Sequence, residues 1–199
     1  RQYCAKVAEE KRRAYQKETY WGKPLPPFGD PKARLLILGL APAAHGGNRT
    51  GRMFTGDESG NFLYGALYRA GFANQPLSKR SGDGLRLKDA YITAVLHCAP
   101  PGNKPTPQQL NHCRDYLIRE IRLLKHVTAI LCLGQIAFRN LLVTYREMGF
   151  AGKGPAKPLF GHGKSYDFGP SFPKLFAAYH PSQQNTFTGK LTRKMFHAV

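Results

Sequence analysis

The 199-residue sequence predicts an α/β fold of three layers, with helices on both faces of a central, mostly parallel sheet. Three observations predict it. The apolar runs "ARLLILGL", "AYITAVLHCAP", "VTAILCLG" and "KLFAAYHPS" are nearly continuous rather than alternating, as in strands covered on both faces. Helix-forming stretches separate most of these runs, the order that builds parallel sheets. The length suits one domain, residues 1–199, with a full core, and no internal repeat or low-complexity segment divides it.

The elements follow in order. "CAKVAEEKRRAYQKET", residues 4–19, is rich in helix formers and charge and predicts a partly exposed helix, broken by "PLPPFGDPK" at residues 24–32. "ARLLILGL" is the first buried strand, and a glycine-rich loop follows it. Ser59 to Gly71 predicts a helix capped by a serine or its neighbours and ended by glycine. Beyond the polar loop "NQPLSKRSGDG" comes the second strand, then a helix begun by Thr106 with Pro107 at its first position. "VTAILCLG" is the third strand and "QIAFRNLLVTYREMG" the third helix. The last strand, "KLFAAYHPS", runs into "QQNTFTGKLT" and a short helix around residues 190–198. Three loops, namely residues 39–60, "HCAPPGNKPTP" and "HPSQQNTFTG", leave strand carboxyl ends, where open α/β sheets bind their ligands, so they should converge on one site.

Composition narrows the function. Thirty Lys and Arg against 12 Asp and Glu give a formal charge of +18 and a pI near 10.0, which makes a polyanion the expected partner. An inert basic surface is the bland alternative. No strongly amphipathic basic helix favours a membrane surface, no apolar run approaches a membrane span, and no signal peptide opens the chain. A soluble cytoplasmic protein is expected. The four cysteines would suggest disulfides only in a secreted chain, so a metal or cluster site is weighed against buried thiols. The glycine-rich loop "GLAPAAHGGNRTG" lacks both G-x-G-x-x-G and the G-K-[ST] ending, which disfavours a nucleotide-dependent enzyme.

Taken together, "GLAPAAHGGNRTGRMFTGD", "ITAVLHCAPPGNKPTP" and "HPSQQNTFTGKLT" resemble, in order and from about residue 20 to the end, the family 5 uracil-DNA glycosylases, the type B iron–sulfur enzymes of bacteria and archaea. The resemblance implies a prokaryotic, monomeric repair enzyme with a uracil-DNA glycosylase-like fold. Its partner is DNA containing uracil or another deaminated base. Such enzymes flip the nucleotide into a pocket and cut its N-glycosidic bond, leaving an abasic site. His180 and Asp57 match the catalytic positions: His180 to donate to the departing base, Asp57 to serve water or the sugar cation. An aspartate before a helix is also an ordinary N-cap, which is the competing reading of Asp57. Gly39, Ala41, Pro42, Ala43, Phe54, Ala94 and Asn185 are expected at the substrate, with Phe54 offering a stacking face. Asn48, Arg49, Arg52, Gln183, Gln184, Thr186 and Thr188 are expected to meet DNA, and Phe187 joins the two glutamines as a filler of the gap left by the base.

Ala43, Ala44 and Ala94 stand where related strict enzymes carry polar readers, so tolerance for hypoxanthine is expected. No lysine in these motifs is placed for a Schiff base, and strand nicking is not expected. His45 brings to mind a covalent uracil-binding group, but the longer basic insertion of that group is missing. A non-catalytic binder of uracil-containing DNA is the runner-up. The resemblance also implies a structural [4Fe–4S] cluster, with Cys98 and Cys113 as the matching ligands. Cys4 is a third candidate, although the alignment of "KVAEEKRRAY" sets both N-terminal ligands of the family upstream of Arg1. Cys132, inside "AILCLG", reads as a buried core thiol.

Overall fold

Leu36, Ile37 and Leu38 are fully buried because the strand they form, β2 (Leu35–Gly39), lies inside a six-stranded sheet. The computed structural model describes residues 1–150 and 158–199. Ahead of β2 come α1 (Gln2–Glu10), a 3-10 turn at Arg13–Tyr15 and the short β1 (Phe28–Gly29). After it come α2 (Gly47–Thr50), α3 (Glu58–Arg69), β3 (Ala90–Ala94), a 3-10 turn at Pro101–Asn103, α4 (Pro107–Leu123) and β4 (Ala129–Leu133). The chain continues through α5 (Gln135–Glu147), β5 (Ser165–Tyr166), β6 (Lys174–Ala178), α6 (Gln183–Phe187) and α7 (Arg193–His197).

The strand order is β1-β3-β2-β4-β6-β5. The four apolar runs of the sequence are its four parallel strands, β3, β2, β4 and β6, while β1 and β5 close the edges antiparallel. Successive strand side chains point to opposite faces. Ile37 and Ile92 pack with Leu63 and Leu67 of α3 and Phe196 of α7, whereas Leu36 and Leu38 pack with Leu117 and Ile121 of α4 and Phe138 and Leu141 of α5. Helices therefore cover both faces, as the sequence predicts. Each such fully buried side chain contributes about 1.5–3 kcal/mol relative to exposure.

Local chemistry sets the helix ends. The Thr106 hydroxyl accepts from the Gln109 amide at 3.2 Å, and Gln109 Oε1 accepts from the Thr106 amide at 2.9 Å, closing a capping box ahead of Pro107. The N-terminal helix is shorter than its composition predicts. It stops at Glu10 because Lys11 turns into a left-handed conformation (φ 48°) and the Arg12 amide donates to the Tyr20 hydroxyl, a tertiary contact that overrides helix propensity. Among the described residues no helix is long and apolar enough to cross a membrane.

From β2 the chain moves outward to β3 and then returns to the other flank of β2 as β4. That reversal splays the connecting loops apart and opens a crevice beyond the carboxyl ends of the strands.

Candidate active site at the strand carboxyl ends

The loop after β2, the turn before α4 and the loop after β6 enclose a cavity of about 270 Å³. Ala41, Pro42, Ala43, Phe54, Asp57 and His180, all anticipated from the sequence, line it together with Ser59, Asn103 and Ser182. The sequence predicts that the three loops converge, and they do.

Phe54 holds a left-handed backbone conformation (φ 51°), which is costly for a bulky residue and persists only where the surroundings impose it. Its ring lies over Gly39, where a Cβ would approach the ring atoms to 2.9 Å. The ring centroid is 5.9 Å from that of His180, with the planes tilted by 30°. Gly39 thus shapes the site from beneath, by making room for the aromatic wall.

Asp57 caps a helix and also faces the cavity. Its Oδ1 caps α3 by accepting from the Gly60 amide at 2.9 Å. Its Oδ2 occupies the space where a side chain on Gly46 would stand, and the carboxylate lines the cavity. Burial raises the carboxyl above its ordinary range, while the amides of Gly60 and Ser59 hold it partly back. His180 is shifted in the other sense for a base: burial lowers its imidazole to about 4, so it is neutral at pH 7. Asn185 reaches this site only indirectly, since its Nδ2 donates to the His180 carbonyl at 2.8 Å. It braces the loop that carries His180 and does not line the cavity.

Several residues expected at the substrate or at DNA are committed elsewhere. Arg52 is 5% exposed and donates to Thr55, Ser78 and Asp83, so it is an internal strut. Asn48 is fully buried, with Nδ2 donating to the carbonyls of Cys4 and Ala44. Arg49 pairs with Glu18, donates to the carbonyls of His45 and Gly56, and lies 3.9 Å over the Tyr15 ring. All three tie the glycine-rich loop to its surroundings. Ala94, opposite Gly39 in the sheet, is buried below the cavity and does not line it.

A second hollow of about 650 Å³ shares Ala43, Asp57, Ser59, Asn103 and Ser182 with the first. Gln183 and Gln184 line it and are exposed, as a surface-reading pair must be. Thr186 and Thr188 spend their hydroxyl protons on carbonyls of their own helix turn, and Phe187 is 79% exposed. Sequence reasoning missed Asn103, Ser59 and Ser182. Asn103 sits in a left-handed turn conformation (φ 57°), and the signal for it was "PPGN", because asparagine tolerates that conformation. A larger apolar cavity of about 390 Å³ lies at the amino ends of β2 and β4, where Arg34 and Asp89 pair with each other. No convergent set of free polar groups marks it as a chemical site.

The cysteines meet in part. Cys4 is buried with its thiol against the Ala99 backbone, accepting from the amide at 3.1 Å. The Cys4 thiol beside Cys98 favours the Cys98 thiolate and takes that group down to about 6. Burial raises Cys113, and the charge of Cys98 adds to the shift. Cys132 is wholly buried in β4 and stands apart as a core residue. The described residues therefore do not complete a four-thiolate set, and among them no group of three His, Cys, Asp or Glu side chains is arranged to hold a metal ion.

Comparison with known proteins follows the same lines. Residues 26–199 match the uracil DNA glycosylase superfamily. A type-5 uracil-DNA glycosylase of Mycobacterium tuberculosis is 52% identical over 194 residues, which is 97% of this chain and 70% of that protein. One from Thermus thermophilus is 50% identical over 95% of this chain and 83% of its own length. Another from Pyrobaculum aerophilum is 41% identical over 90% and 75%. The cavity walled by Phe54, Asp57 and His180 thus stands on a scaffold with close relatives, and the chain belongs to the uracil-DNA glycosylase superfamily, within its type-5 family.

Proposed function

We propose that this protein removes uracil from DNA by extruding the nucleotide into the 270 Å³ cavity and hydrolysing its N-glycosidic bond. One observation carries the assignment of residues: Asp57 spends one carboxylate oxygen on the α3 cap while the other lies against Gly46, and the side chain lines the cavity that His180 and Phe54 also line. The base leaves with the bonding electron pair. Neutral His180 donates a hydrogen bond to the carbonyl oxygen on which that negative charge gathers, and the Phe54 face supports the ring. The sugar is left cationic at its anomeric carbon. The Asp57 carboxylate stabilises that cation and accepts a proton as water adds there, giving an abasic site.

Ala41, Pro42 and Ala43 offer the base no side-chain polar group, which supports acceptance of hypoxanthine as well as uracil. A [4Fe–4S] cluster on Cys98 and Cys113, with Cys4 alongside, would brace this corner and take no part in bond cleavage, which transfers no electrons. Iron and acid-labile sulfide in anaerobically purified protein test it.

Single-turnover incubation with duplexes holding one uracil, one hypoxanthine or only normal bases, followed by alkali, tests the function. Wild type should yield abasic product from both damaged duplexes. Asp57→Ala should lose about 10²–10⁴-fold in rate and His180→Ala about 10²–10³-fold, with binding retained. Binding without product from wild type would identify a non-catalytic reader of damaged DNA.

A further inference from the structure

Tyr20 is buried, and its hydroxyl lies 3.3 Å from the Arg12 amide nitrogen and 3.1 Å from His45 Nδ1. The amide can only donate, so the phenol oxygen accepts there. Among the described residues His45 Nδ1 is the one acceptor within reach of the phenol proton, so the bond that satisfies both groups runs from Tyr20 to Nδ1, and an imidazole that accepts at Nδ1 carries its own proton on Nε2. No described residue takes up Nε2–H. Burial and the charges of Arg12 and Arg49 oppose protonation of the ring and so favour its neutral form.

The position of this donor is informative. His45 lines the 650 Å³ groove and not the base cavity, so it faces what surrounds the extruded nucleotide instead of the base. Gly46, next in sequence, is the residue whose missing side chain makes room for Asp57 Oδ2. A donor next to the residue against which Asp57 Oδ2 packs lies on the groove adjoining the cavity, where the phosphates flanking an extruded nucleotide would run. Arg12 lines the same groove as His45 and supplies a cation beside the carboxylates of Asp57 and Glu58. Tyr20 and Arg12 both precede residue 26, where the match to the superfamily begins.

We infer that His45 is a further DNA-binding residue, its Nε2–H donating to a phosphate that flanks the extruded nucleotide, with Tyr20 the positioning residue that fixes its tautomer. The inference rests on the glycosylase reading of the groove.

The test uses a duplex carrying a non-cleavable 2′-fluoro analogue of deoxyuridine, with binding followed by fluorescence anisotropy. His45→Ala should weaken binding about tenfold or more, as expected for a hydrogen bond to a charged group, and His45→Gln, which keeps an N–H near the same place, should recover most of it. Replacing one flanking phosphate by methylphosphonate should abolish the difference between wild type and His45→Ala. The salt dependence of binding should be unchanged in His45→Ala, because a neutral donor releases no counterion, whereas Arg12→Ala should flatten the slope by about 0.9. Imidazole ¹⁵N shifts should show His45 protonated at Nε2 in wild type and as a tautomer mixture in Tyr20→Phe. Equal affinity of His45→Ala and wild type, or a loss that persists when each flanking phosphate in turn is replaced by methylphosphonate, would overturn the inference alone. Absence of abasic product from a cleavable uracil duplex with wild type would overturn the glycosylase reading and this inference with it.

Discussion

Asp57 shows how one side chain can cap a helix and still face a cavity. Burial raises its carboxyl above the ordinary range, so the fold binds protons more readily than the unfolded chain does. The charge therefore costs stability as pH rises through that raised value. Asp57→Asn keeps an oxygen for the Gly60 amide and removes the charge; its melting temperature should rise while cleavage collapses. Asp57→Ala loses the cap as well, worth about 1 kcal/mol, and should melt below the asparagine variant. Thermal unfolding of the three proteins at pH 7 checks the order. The rate should follow the same group. As pH falls through the raised pKa the carboxylate is lost, so the acid limb of kcat/KM should lie above the ordinary aspartate value and disappear in Asp57→Asn. His180, neutral until about 4, should add no inflection near pH 6.5. At this scale the sequence was legible where chemistry needs a rare residue in a short motif, as for Phe54, Asp57 and His180. It misled for Arg52 and Asn48, because a charged or polar residue in a loop looks alike whether it faces solvent or ties the loop inward, and for Ala94, whose strand position opposite Gly39 sets it below the cavity.

At the level of elements, long buried runs declared themselves and two-residue strands did not. β2, β3, β4 and β6 carry enough apolar residues to be read, whereas β1 and β5 exist only because an edge of the sheet offers free backbone groups. The loop between β2 and α3 is likewise a product of tertiary contacts. Burial alone would raise the Asp83 carboxyl, yet Arg52 and the amides of Lys79, Leu85 and Arg80 hold it well below the usual range. Removing Arg52 would leave that half-buried carboxylate and the buried hydroxyls of Thr55 and Ser78 without their cation. Arg52→Ala should destabilise the protein by about 3–5 kcal/mol, measured from urea unfolding. If Arg52 instead contacted DNA, the variant would keep its stability and show a flatter salt dependence of binding.

For the whole molecule, the charge of +18 sets how the enzyme finds its substrate. Affinity for undamaged and damaged duplexes should fall together as salt rises, because both losses come from phosphate contacts, while the ratio between them should hold nearly constant. Anisotropy titrations across a range of salt concentrations check this. The charge and the parallel sheet were visible in composition and pattern. The part played by the N-terminal segment was not, because it depends on contacts between residues far apart in sequence.

That segment is bound to the catalytic loop by the Trp21 and Gly22 amides, which donate to the carbonyls of Arg49 and Asn48, and by Arg49 reaching back to Glu18. Protection of backbone amides against exchange with solvent should therefore not be set separately on the two sides. Residues 18–22 and 45–56 should open in one step and with one free energy, so a perturbation at the start of the chain would be felt as a change in how long the site stays assembled.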